Sequence, residues 1–546
     1  MTYRGAEIYG LLTIKTFAGT RRCIVGVILL TVSWTAIVAL VSPARAQAPT
    51  PSPTPAAPAR PDLEPELSRW RLFEPQGIGE KLRSPLYDPY APNVVKGDYP
   101  LFGDKVFLAA TGVLDSFMEF KRNLDFFSGG RFRNIPYHEH NLLGQLTGVL
   151  FLDVFQGDTV FTPRDWAIRV APIIRFRCGD KNAIDQGCGE YITLQEAFGE
   201  LKLFEIGETF DATSGRLGIQ AFNSDFFGFV YNDVQPGFRV FGELERNQIK
   251  FNVAAFDRLN KEKLLALNEL GKRREHQVGV VSVQWDDFIL PGFNVQPSFV
   301  VNHDEAPAVA AGGTLDAYYL GFTTNGRIDR FNVNSALYYV FGSTARNTPN
   351  ARSQDIHAGM GFVQVAYPIN YFNPRLAVAY ATGDSDPDDN TATGFDSVFD
   401  NTAFAGGQFS YLFGEKIQLG AVTVLRGNSI LPSLRGANAT AQFVNPGILA
   451  INPGIDMVLT PKTLFEANYA YVRFDDTSSL TGLAGRRVSR EIGHELNAGV
   501  TYRPLLNEQL ILFAGGAVLF PGQGIKDLFG NDDPVYKTVV RVLLTF

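Results

Sequence analysis

The sequence predicts an all-β protein, a single transmembrane antiparallel β-barrel of about 18 strands within a range of about 16 to 20. Three observations predict it. From about Lys105 to the end, alternating runs of roughly ten residues are separated by clusters of Gly, Asn, Asp or Pro. Each clear run divides into an apolar face and a polar face, and aromatic residues often stand at the ends of the apolar one. The composition agrees: 53 Gly, 44 Phe and 20 Tyr against only four Met is a mixture of turn formers and strand formers.

The N-terminus predicts export. Arg4, Lys15, Arg21 and Arg22 precede an apolar run from Cys23 to Val41 that ends at Ala44-Arg45-Ala46, so residues 1–46 read as a signal peptide cleaved after Ala46. The run is also about long enough to cross a bilayer, which leaves an uncleaved anchor as the alternative. Residues 1–46 hold five basic residues and one acidic residue, so cleavage takes the formal charge from −7 to −11. That balance argues against nucleic acid as a partner. Residues 47–100 are expected to form a Pro-rich periplasmic linker or tail. Six of the fifteen residues 47–61 are proline, which favours an extended, solvated chain. The part from Asp62 to Pro100, with Trp70, Phe73, Tyr87 and Tyr90, either hangs in the periplasm or plugs the barrel.

Residues 101–546 are the predicted barrel. At Trp166–Arg177, Trp166, Ile168, Val170, Ile174 and Phe176 oppose Arg169, Arg175 and Arg177, because strand side chains alternate with a period of two. At Phe331–Phe341, Phe331, Val333, Leu337, Tyr339 and Phe341 oppose Asn332 and Asn334. At Lys416–Arg426, Ile417, Leu419, Ala421 and Leu425 oppose Lys416, Gln418 and Arg426. At Ile492–Pro504, Ile492, Leu496, Ala498, Val500 and Tyr502 oppose Glu495, Asn497, Thr501 and Arg503. The last strand sets Tyr536, Thr538, Val540, Val542, Leu544 and Phe546 against Lys537, Val539, Arg541, Leu543 and Thr545. Leu259–Gly271 is expected to form a short helix in a loop.

A soluble β-sandwich also alternates. The number of runs favours closure, which removes sheet edges, and the exported part has no apolar run long enough for a helical span. Cys178 and Cys188, in a polar Gly-containing stretch of an exported chain, are expected to form a disulfide rather than half of a metal site.

Chemistry is sparse. In His138-Glu139-His140 a strand would set both imidazoles on one side, yet no third ligand is evident, and a polar turn is the plainer reading. Asp384, Asp386 and Asp388 have the alternate spacing of a calcium loop. The pattern then fails: position six is Asp389 rather than Gly and position twelve is Phe395 rather than Glu. A solvated extracellular loop is expected, with weak cation binding as its rival. No G-x-S-x-G, H-E-x-x-H or Walker-type loop is present, so no catalytic, cofactor-binding or metal residue is assigned and enzymatic function is disfavoured.

The polar faces are more informative. Arg169, Arg175, Arg177, Arg239, Arg375, Arg426, Arg503, Lys537 and Arg541 fall on or beside them and are the candidate pore-lining residues. Such a lumen suits anions, since arginine stays charged and binds carboxylates through two N–H groups. The competing expectation pairs these cations with Glu200, Glu243, Glu466 and Glu495 for stability alone.

Ala379-Tyr380-Ala381-Thr382-Gly383-Asp384, then Asp386-Pro387-Asp388 and Gly394-Phe395-Asp396-Ser397-Val398-Phe399, resembles the strand and acidic loop of alginate-export-type outer-membrane barrels. Thr382 stands where that pattern has Ser. Gln195–Leu201 and Ser214–Gln220 are similar to a strand pair of the same family. The resemblance implies a barrel of about 18 strands with an arginine-lined pore. Termination at Phe546 likewise resembles the end signature that barrel-assembly machinery recognises.

The expected function is an outer-membrane pore of a Gram-negative bacterium for small hydrophilic or anionic solutes, or for an acidic polysaccharide. Membrane lipid and lipopolysaccharide are the expected surroundings. The alternative is a non-conducting barrel that serves as anchor, adhesin or receptor.

Overall fold

The computed structural model describes residues 91–546 except 104, 123–139, 158–162, 180–186, 207–210, 263–264, 306–312, 348–351, 401–403, 415–439, 507 and 531. The expected signal peptide, the expected tail up to residue 90, the run Lys416–Arg426, and His138 and Glu139 lie outside the described residues.

Twenty strands are described: β1 (Lys96–Phe102), β2 (Val106–Arg122), β3 (His140–Gln156), β4 (Trp166–Gly179), β5 (Cys188–Ile206), β6 (Asp211–Asn223), β7 (Asn232–Leu244), β8 (Ile249–Lys261), β9 (Asn268–Trp285) and β10 (Phe293–Asp304) come first. Then follow β11 (Leu315–Ile328), β12 (Phe331–Asn347), β13 (Arg352–Ala366), β14 (Phe372–Ala381), β15 (Thr391–Ala392), β16 (Ile448–Thr460), β17 (Thr463–Arg473), β18 (Glu491–Tyr502), β19 (Leu510–Pro521) and β20 (Val535–Thr545). Eighteen of these close into one antiparallel ring. β2 to β14 pair successively, β14 pairs with β16, the series runs on to β20, and β20 pairs with β2. Outside the ring, β15 lies parallel to β13, and β1 extends the β2 hairpin where β20 has ended.

Local chemistry accounts for the walls. Along β4, Ile168, Val170 and Phe176 are exposed, whereas Ala167, Ala171 and Ile173 are buried. Leu217 is 68% exposed and Leu337 59%, far too much apolar surface for a barrel standing in water. Aromatic rings mark both margins of this outer band. Tyr318 stacks on Phe341 at 5.4 Å near one end, and Trp285 meets Phe288 at 5.1 Å near the other. Connections are tight at the second end, as at residues 329–330 and 461–462, and long at the first, where residues 382–447 join β14 to β16. These are the turn end and the loop end below.

The loop end folds inward. Asp225 accepts hydrogen bonds from the backbone N–H groups of Phe227, Gly228 and Phe229, which turns residues 224–231 into the lumen. There Phe229 packs on Phe362 and Phe404, and Phe404 on Phe413. Three short helices lie in loop-end connections: α1 (Tyr411–Gly414), α2 (Ser478–Ala484) and α3 (Gln523–Phe529).

Two expectations are corrected. Leu259–Gly271 is not a helix: Leu259 pairs with Arg273 and Lys261 with Asn268, so the segment is a hairpin turn between β8 and β9. Its apolar residues Leu265 and Leu267 are buried against Ile173 of β4, a tertiary contact that local spacing does not disclose. Ile492 does not share the face of Leu496 but is buried inward. A bulge pairs Val472 with Gly493 and Arg473 with Glu491, and Gly493 adopts φ 141° with the backbone of Phe520 against it, so the alternation slips by one residue. At the start of the described residues, Val94 and Tyr99 pack against Phe107, Phe155 and Ala167, and β1 begins at Lys96.

Candidate permeation pathway

Charge on the lipid face costs about 2–4 kcal/mol near the bilayer midplane, so in a spanning barrel arginines belong on the inner wall. Arg169, Arg175, Arg177, Arg239, Arg375, Lys537 and Arg541 all alternate with outward apolar neighbours and face inward. Arg169, Arg375 and Arg541 join cross-strand ion pairs with inward carboxylates. Arg169 grips Asp153 with Nε and Nη2 at 2.7 and 2.8 Å and gives Nη1 to Glu196 at 2.8 Å. Arg541 holds Asp115 in the same two-pronged way, at 2.7 and 2.9 Å, and reaches Gln408 at 3.2 Å. Arg216 donates twice to Glu200 at 2.9 and 2.6 Å, and Arg375 meets Asp456 at 3.2 Å. Two arginines bond neutral oxygens instead. Arg175 donates to Thr147 and to the Leu265 carbonyl, and Arg239 donates to Asn252 Oδ1.

Phenylalanine alternates with this charge. The Arg169 guanidinium lies 5.7 Å from Phe151 and 5.5 Å from Phe198. Arg216 lies 4.2 Å from Phe198 and 5.2 Å from Phe241, and Arg239 lies 4.4 Å from Phe241 and 5.3 Å from Phe222. The result is a staircase of rings and guanidiniums round the wall from β3 to β7. Ring faces attract the cations and hold their planes.

Inward segments occupy part of the ring's interior. The Leu412 N–H donates to Glu495 at 2.7 Å and Asn497 Nδ2 to the Ala405 carbonyl at 2.9 Å, which seats residues 404–413 on β18. Phe399 covers Arg258 and Lys261, both paired with Asp233, at 4.8 and 5.3 Å.

Other expected site residues fall elsewhere. Arg503 is in the turn after β18, paired with Glu508 at 3.1 Å, because the strand ends at Tyr502. Lys537 is sealed from water beside Glu119 at 3.7 Å. Arg426 lies outside the described residues. Of the acids expected as partners, Glu200 takes Arg216, while Glu243 stands opposite Lys250, Glu466 opposite Asp456, and Glu495 serves the inner segment. Cys178 and Cys188 are disulfide-bonded across the loop-end hairpin of β4 and β5.

In the acidic loop Asp386 and Asp389 accept backbone N–H groups two residues on, as in tight polar turns. Asp384 departs from the expected solvated loop. It is 1% exposed, and burial pushes its carboxyl up to about 6. Among the described residues no cluster of three acidic, His or Cys side chains is set to hold a metal.

Sequence reading missed Asp115, Asp153, Glu196, Asn252 and the role of Arg216. Each lies on the polar face of an alternating strand, but its partner depends on a cross-strand register that spacing within one strand does not give.

No family model and no curated protein matches the chain, so the alginate-export resemblance gains no support there. Some solved structures are similar to the chain at low identity. Acinetobacter baumannii OccAB2 gives a TM-score of 0.47 at 11% identity over 80% of this chain and 97% of that one. A BenF-like porin from Pseudomonas fluorescens Pf-5 gives 0.46 at 10% over 80% and 99%. Pseudomonas aeruginosa OccK5 gives 0.45 at 10% over 80% and 98%. The fold assignment stands on the closed ring of strand ladders itself.

Proposed function

We propose that this protein is an outer-membrane pore of a Gram-negative cell that passes small hydrophilic solutes and favours anions. One observation carries the reading: an 18-strand ring with an apolar exterior encloses a wall of inward arginines stacked on phenylalanine. The tight-turn end then faces the periplasm and the loop end the cell exterior, the usual sense of such barrels. Lipid and lipopolysaccharide surround the outer band, and Phe546 is offered to the barrel-assembly machinery. No residue is given a catalytic role. An acidic polysaccharide is the cargo that the likeness at residues 379–399 would add.

A second reading has its own support. The Phe229, Phe362, Phe404 and Phe413 cluster packs apolar side chains inside the lumen, which suits a non-conducting anchor or receptor. Single-channel recording in planar bilayers separates the two. Discrete steps in KCl from the folded, heat-modifiable protein support the pore. A folded barrel that never conducts supports the anchor.

A further inference from the structure

Inward cations on this wall generally stand beside a carboxylate. Arg169 has Asp153 and Glu196, Arg375 has Asp456, and Arg541 has Asp115. The exception of interest is a pair. Arg216 and Arg239 stand directly opposite each other in the β6–β7 register, both inward, and both guanidiniums flank the ring of Phe241. Like charges set directly opposite across two strands repel. Glu200 binds Arg216, whereas Arg239 spends two N–H groups on one neutral oxygen, Asn252 Oδ1. Arg175 also bonds neutral oxygens, but one is the Leu265 carbonyl, which fixes that arginine to the inward turn.

We propose that the Arg216–Arg239 pair is the anion-selecting site of the lumen, and that Arg239 is its specificity-determining residue for a permeant carboxylate or halide. This deepens the pore reading and rests on it. Two guanidiniums share one fixed carboxylate, so one positive charge is left for a passing anion. Asn252 orients Arg239 without neutralising it, and Phe241 holds both planes against the wall. A protein that needed Arg239 only for stability would be served as well by a carboxylate at position 252, as at the other ion pairs.

Asn252→Asp supplies that missing carboxylate and keeps every arginine. It is compared with Arg239→Gln, with Leu217→Ala on the exposed outer face of β6 as a control, and with wild type. Zero-current potentials are read in planar bilayers under a KCl gradient. The expected result is chloride preference in wild type and in the control, falling about threefold or more in both Asn252→Asp and Arg239→Gln. Heat-modifiable mobility shows that each variant is folded. Conductance with wild-type selectivity in the folded Asn252→Asp barrel overturns the site and leaves the pore standing. A folded wild-type barrel that does not conduct overturns both.

Discussion

Phe546, the last residue, lies across Gly112 of β2. The Gly112 N–H donates to the Phe546 carbonyl at 2.6 Å, the Phe546 N–H returns a bond at 2.9 Å, and the ring covers the place where a side chain at 112 would begin. The closing seam of the ring thus ends on an aromatic side chain packed over bare backbone. Gly112→Val should force that ring away and destabilise the barrel by about 1–3 kcal/mol, as overpacking does. Urea unfolding in detergent followed by Trp fluorescence checks it, and an unchanged midpoint contradicts the packing.

Arg169 joins three strands through Asp153 and Glu196. Arg169→Met should strand two carboxylates on the inner wall. Because the arginine is about a third exposed, the expected loss is on the order of 1–2 kcal/mol. Arg169→Lys should recover only part of it, since an ammonium has no fork to match Asp153. The urea midpoints of the two variants give the comparison.

Cys178 and Cys188 face outward at the loop end. After mild reduction of intact cells, both should react with a membrane-impermeant maleimide. Labelling only after the outer membrane is opened would place this end in the periplasm instead.

Asp384 has its carboxyl raised to about 6, with burial as the largest cause. A carboxyl whose folded value exceeds its unfolded one near 4 costs stability when it ionises. Stability should therefore fall as pH rises from about 4 to 6, and Asp384→Asn should flatten that slope and raise the unfolding midpoint at pH 7. A variant with an unaltered pH profile would exclude Asp384 as the group responsible.

The ring was legible in the sequence where strands are regular. On β4 and β20 simple alternation sorts Ile168 from Arg169 and Val540 from Arg541. It failed at Ile492, where a bulge shifts the faces, and at Leu265, where an inward turn packs on Ile173 of β4. The arginines were visible singly, but their acids were not. Asp153 meets Arg169 only because β3 and β4 pair in one register, and register follows from ring closure and bulges rather than from either strand alone.

The most direct test of the barrel is a spin-label scan along β4 in a cysteine-free background, reconstituted in lipid. Labels at 168, 170 and 176 should collide with oxygen dissolved in the acyl chains, and labels at 169, 175 and 177 with a water-soluble nickel chelate. Nickel access at all six positions, or folding without detergent or lipid, would contradict a membrane-spanning wall.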